Sequence, residues 1–222
     1  MKALIIYGGW DGHEPVQVSE ILADALVQNG FDVERSDTLD SLLDEDGLGE
    51  LDLIVPLWTM GEISNEQWGG LSAAVRAGVG VAGQHGGMGD AFRANTDYQF
   101  MVGGQWVAHP DGVIDYRVHI LDHADPITAG LDHFEMHSEQ YYMHVDPAVH
   151  VLATTTFEFN GCTMPVAWKK MWGKGRVFYS SLGHVAGDFD VPEALTIQTR
   201  GMVWAAEGKA AGRAAAGRKA AL

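Results

Sequence analysis

The chain has 222 residues, 46% of them hydrophobic and 20% charged, with a formal net charge of −16, which suits one domain with a single large core. So acidic a chain argues against nucleic acid or an anionic membrane as partner, because phosphate binding needs a basic patch; a neutral small molecule is easier to accommodate. The lone cysteine, Cys162, excludes an intramolecular disulfide and a CxxC-type metal site and fits a reducing, cytoplasmic setting.

In chain order, Ala3 to Tyr7 is an apolar run that stops at Gly8-Gly9 and meets Asp11, so it reads as a buried first strand rather than a signal peptide. Ile21, Leu22, Ala25 and Leu26 then recur at helical spacing, and Asn29-Gly30 closes that helix. A second strand starts at Phe31 to Val33, a third covers Leu51 to Trp58, and a helix over Asn65 to Ala77 leads to a fourth strand at Val79 to Ala82. This alternation predicts a parallel sheet with helices on both faces. Past Thr96 the pattern loosens, with Gly103 to Trp106 and Ala108 to Pro110 in loop-like surroundings. Strands return at Val113 to Leu121, at Val149 to Phe157, from Met164, and at Gly175 to Ser180. A last helix covers Pro192 to Ala206. Residues 1–206 form one domain; residues 207–222 form a low-complexity tail expected to be disordered, with Lys209, Arg213, Arg218 and Lys219 against Glu207, a net +3 that leaves −19 on the rest. No run is apolar for long enough to span a membrane.

The fourth strand ends in Gly83-Gln84-His85-Gly86-Gly87. Small residues around His85 suit a sharp strand-to-helix turn that holds the imidazole over the carboxyl ends of the strands, the edge where ligands bind in open parallel sheets. His13, after the first strand, and His184, after the Gly175 to Ser180 strand, occupy the same kind of position. Three such positions on one edge outweigh the ordinary reading of each histidine as a structural residue. Glu139, set among aromatic residues, is the best carboxylate to fix an imidazole tautomer or serve as a second base. Trp10, Trp58 and Trp106 offer walls for the apolar face of a sugar ring.

Pro165 to Trp168, Gly173 to Tyr179, Leu182-Gly183-His184, Gly83 to Gly87, and Gly103-Gly104 leading to His109-Pro110 together resemble the ThuA-like trehalose utilisation family. The resemblance spans residues 2 to 206. It implies a three-layer α/β/α fold with a mostly parallel sheet, similar to the class I glutamine amidotransferases and so flavodoxin-like, with His85 where the glutaminase cysteine sits. It further implies that His13, His85, His109, Glu139 and His184 line the pocket. Two positions depart from the family pattern: Asp125 stands where His is frequent, and Ser138 where an acid is common.

On this reading the protein uses acid/base chemistry on trehalose, a related disaccharide or a keto-sugar, with His85 and His184 as the central pair, Glu139 assisting, and His13, His109 and the three tryptophans binding substrate. Without a thiol at position 85, glutaminase chemistry is excluded. The expected partners are the small-molecule sugar, a sugar dehydrogenase of the same pathway and a second copy of the chain as homo-oligomer. The sequence fixes no cofactor and leaves a divalent metal open. Two alternatives stand beside this one: a divalent metal held by three of the imidazoles and Glu139 in a metal-dependent hydrolase, and a non-catalytic sugar-binding or assembly module.

Overall fold

The structure is a computed structural model, and it describes residues 1–220. Its centre is a nine-stranded sheet in the order β2-β1-β3-β4-β11-β10-β9-β6-β7. The five strands β1 (Lys2–Gly9), β2 (Asp32–Ser36), β3 (Leu53–Thr59), β4 (Gly80–Gln84) and β11 (Gly175–Ser180) run parallel. Side chains of β1 alternate between two cores, as strand geometry requires. Ala3 and Ile5 join Val18, Leu22 and Leu26 of α1 (Pro15–Gln28) and Ala194, Ile197 and Met202 of α6 (Pro192–Ala220). Leu4 and Ile6 join Leu71 and Val75 of α3 (Asn65–Ala77) on the opposite face. The three-layer α/β/α arrangement expected from the βα alternation is therefore present.

Beyond β11 the sheet changes character. β10 (Thr163–Trp172), β9 (His150–Thr156), β6 (Val113–Ile120) and β7 (Phe134–Glu139) add on antiparallel. Four reversals from β11 return β7 to the direction of the parallel strands, so its carboxyl-terminal residue, Glu139, emerges on the same edge as the histidine-bearing turns. Laid flat, β7 would stand four strands from β11, about 19 Å away at the usual strand spacing of about 4.8 Å. Contacts between Glu139 and the residues after β4 and β11 show that the outer sheet curls back over the edge. β9 and β6 pair in register at His119 with Thr154 and Ile120 with Ala153, joined further by the Thr155 hydroxyl donating to the Arg117 carbonyl.

One expectation is corrected. The segment Gly104–Ala108, read as loop, is strand β5, paired antiparallel with β8 (Tyr142–Val145) in a small separate sheet. The last helix, α6, extends past Ala206 to Ala220; the final two residues of the chain lie outside the described residues.

Candidate active site

The turn after β4 is as sharp as its glycines imply. His85 opens the five-residue helix α4 (His85–Gly89) with φ of +42°, a left-handed conformation that a side-chain-bearing residue adopts only when its surroundings enforce it. Those surroundings are on both sides of the ring. Nδ1 lies 2.9 Å from the Ser181 carbonyl, Nε2 lies 3.2 Å from Glu139 Oε2, and the Tyr141 ring stacks at 3.9 Å between centroids. The Tyr179 hydroxyl donates to the His85 carbonyl at 3.1 Å. Gly86 is required by packing rather than by its own dihedral: a Cβ there would run into the His13 ring.

His13 ends a short 3-10 turn (Asp11–His13) after β1 and is buried. Its Nδ1 is 2.8 Å from Thr59 Oγ1, at the last residue of β3, and its Nε2 is 3.9 Å from Glu139 Oε2. His184 follows β11, with Nδ1 3.3 Å from the same carboxylate oxygen but in no hydrogen-bonding geometry. Its backbone N–H donates to Asp188 Oδ2 at 2.9 Å, and the Ser138 hydroxyl donates to that oxygen at 2.5 Å. His109, following β5, approaches the other oxygen, Glu139 Oε1, at 3.7 Å. The fold thus gathers His13, His85, His109 and His184 around Glu139.

Of the tryptophans, Trp10 is 47% exposed and presents its edge to His13 at 4.8 Å. Trp106 lies 5.6 Å from His109, with the Arg93 guanidinium 4.8 Å over its own ring; its indole N–H is buried without a partner. Trp58 is different: it packs on Gly8 and Gly61 and lines an apolar crevice with Leu42 and Phe92.

Burial dominates the electrostatics. His85 is 1% exposed, and loss of hydration pushes its pKa down to about 4 against the opposing pull of Glu139. His184 is lowered too, chiefly by burial. For Glu139 burial works upward, but hydrogen bonding and charge from His13, His85 and His184 outweigh it, so the carboxylate stays ionised well below the usual range. Asp188 is raised, mainly by burial.

The void beneath the cluster, lined by His13, Thr59, Gln84, His85 and Gly183 among others, measures about 10 Å³. That volume is on the scale of one water molecule. Sequence reasoning passed over Thr59, Ser181, Tyr141, Asp188 and the anchoring role of Ser138. Thr59 was findable, since it obeys the same rule as the histidines: a polar residue at the carboxyl end of a core strand.

A family model described as ThuA, trehalose utilisation, matches residues 2–205. The chain belongs to the ThuA family. Comparison with curated proteins gives no match. Among solved structures, a putative ThuA-like protein from Bacteroides uniformis ATCC 8492 superposes with a TM-score of 0.79 at 17% identity, over 92% of this chain and 91% of that one. One from Parabacteroides merdae ATCC 43184 gives 0.75 at 19% identity, over 94% and 90%. The glutaminase domain of Trypanosoma brucei CTPS, with bound acivicin, gives 0.56 at 11% identity, over 93% and 94%. At these identities the likeness to the last extends to the glutamine amidotransferase-like fold alone, and the ThuA chain has its own set of edge residues, an imidazole cluster around one acid.

Proposed function

We propose that this ThuA-family chain carries out acid/base chemistry on a sugar or keto-sugar resting over the Glu139 edge of the cluster. The observation that carries this reading is the buried carboxylate of Glu139 with imidazoles on both of its oxygens, with Trp10 beside His13 and Trp106 beside His109. Sugar rings stack their apolar faces on such side chains while titratable groups address their hydroxyls. A keto-sugar delivered by a sugar dehydrogenase suits the site, because a carbonyl acidifies the neighbouring C–H and gives an acid/base set something to exchange. A thioester route is closed. It needs a thiolate in the site, whereas Cys162 lies in the turn between β9 and β10, where its carbonyl accepts from the Phe157 N–H.

Roles follow from access. His85 has almost no exposed surface, its Nδ1 on the Ser181 carbonyl and its Nε2 turned to Glu139, so it lies behind the carboxylate rather than meeting substrate. His109, with 38% of its side chain exposed, is the imidazole that reaches a bound sugar and transfers the proton, with Glu139 as its partner. Turnover of a 3-keto-glucoside, or solvent deuterium uptake at its carbon-bound hydrogens, tests this. His109→Ala and Glu139→Gln should each lower the rate by about 100-fold or more, the usual scale of a positioned acid or base. Unchanged rates in both variants would sink the assignment, and stabilisation by sugar with neither turnover nor exchange would identify a binding module instead.

A further inference from the structure

We propose that His13 Nε2, His85 Nε2, His184 Nδ1 and Glu139 Oε2 form a binding site for one divalent ion of the zinc class. The inference deepens the reading of the same pocket, and rests on it for the ion's use though not for its binding. It begins with hydrogen-bond bookkeeping at His85. A carbonyl only accepts, so the contact with Ser181 at 2.9 Å puts the ring proton on Nδ1. Nε2 then turns a lone pair toward a carboxylate oxygen 3.2 Å away, which also only accepts. Two acceptors facing each other in a buried site call for a cation between them. One proton could bridge one such pair. Three nitrogens, however, converge on the same Oε2, at 3.2, 3.3 and 3.9 Å, and His184 Nδ1 remains buried without a hydrogen-bond partner.

The spacing matches an ion better than a hydrogen-bond network. The four ligand atoms all lie within 4.8 Å of one another; a tetrahedral ion with bonds of about 2.1 Å holds its ligand atoms about 3.4 Å apart, close to the 3.2 and 3.3 Å that already separate His85 and His184 from Oε2, so the wider pairs close by about 1.4 Å at most. The outer partners also follow the metal-site pattern, in which a ligating imidazole is fixed through its other nitrogen. His13 Nδ1 meets Thr59 Oγ1, and His85 Nδ1 meets the Ser181 carbonyl. Asp188, held in turn by Ser138, fixes the backbone of His184. Three imidazoles and one carboxylate select a borderline transition ion over magnesium or calcium, which prefer all-oxygen shells. When bound, such an ion supplies Lewis acidity toward a substrate oxygen. His109 lies outside the ligand set, on Glu139 Oε1.

The test uses the full chain, purified without chelator or polyhistidine tag, for metal analysis, followed by stripping and calorimetric titration with Zn²⁺. About one ion per chain is expected. His184→Ala and His13→Ala should weaken binding by more than about 100-fold, Thr59→Val by about 10-fold as an outer partner, and His109→Ala not at all. Should the histidine variants fail to fold, the visible spectrum of the Co²⁺-loaded wild type decides: intense tetrahedral bands support the site, and the weak spectrum of hydrated cobalt overturns it. No Zn²⁺ uptake by stripped wild type, or equal affinity in His184→Ala, also overturns it. The two readings fail separately, since an ion bound without any sugar chemistry counts against the proposed function alone, and sugar turnover by a chain that takes up no ion counts against the metal site alone.

Discussion

The two halves of the sheet contribute opposite parts of the site. The parallel half, β1 to β4 with β11, delivers His13, His85 and His184 from segments that follow a strand, each held by a partner on the same edge: Thr59, Ser181 and Asp188. The antiparallel half delivers Glu139 from the end of β7, and the segment after β5 delivers His109. The bases belong to a scaffold that βα units build stepwise along the chain. The one acid they share arrives from a strand four places away in the sheet. Neither half is a site alone, and the geometry that matters is where they dock.

The largest stability effect that can sharpen this comparison is acid sensitivity seated in the parallel half. In metal-free protein, His85 binds its proton at about 4 when folded and at about 6.5 when unfolded. Between those values the unfolded chain carries more protons, so stability is full above 6.5 and falls as pH drops toward 4, by roughly 3 kcal/mol. Glu139, whose folded pKa is depressed, adds loss in the same direction as pH falls below its ordinary unfolded value. Urea melts across pH 7 to 4 measure the total. His85→Gln should flatten the upper part of the slope, and an unchanged slope would mean that burial there is weaker than the contacts imply.

A smaller effect separates packing from charge. Gly86→Ala places a methyl group against the His13 ring and should cost about 1–3 kcal/mol, the usual range for overpacking. At this chain length, that corresponds to a melting temperature lower by several degrees. A melting temperature equal to wild type would show that His13 can swing aside, and so that the parallel half holds its imidazoles loosely. The smallest effect belongs to the outer hairpin: Glu135→Ala removes an exposed ion pair with Arg117 across β6 and β7 and should change stability by less than about 1 kcal/mol. A larger loss would mark the hairpin as the weak hinge of the docking.

The same contrast explains what could be read from residues. The parallel half was legible because its signals are local: apolar runs of strand length, helical spacing in α1 and α3, and glycines around His85 each lie within one βα unit. Even the bounds of α3 follow from Ser64 capping Gln67 at one end and Gly78 closing the other. The outer half was not. The pairing of β6 with β7 spans a connection of some length and places Glu135, His137 and Glu139 on a strand with little apolar content, and β5 with β8 bridges residues far apart in the chain. Phe134 and Met136 alternate with Glu135 and His137 in the period of a half-buried strand, but two apolar residues are too short a run to announce it, and its partners supply the context. Glu139 could be nominated from its aromatic neighbours and the family resemblance, but the curl that carries it to His85 could not be foreseen from one sequence.

That curl brings the end of β7 back to the turns after β4 and β11. Long-range closures of this kind form late, after local contacts have reduced the search. Refolding should therefore restore helical signal before it restores the stacking of Tyr141 on His85. Competence at the edge would then report the final act of assembly, and damage anywhere along the outer strands could silence residues it never touches.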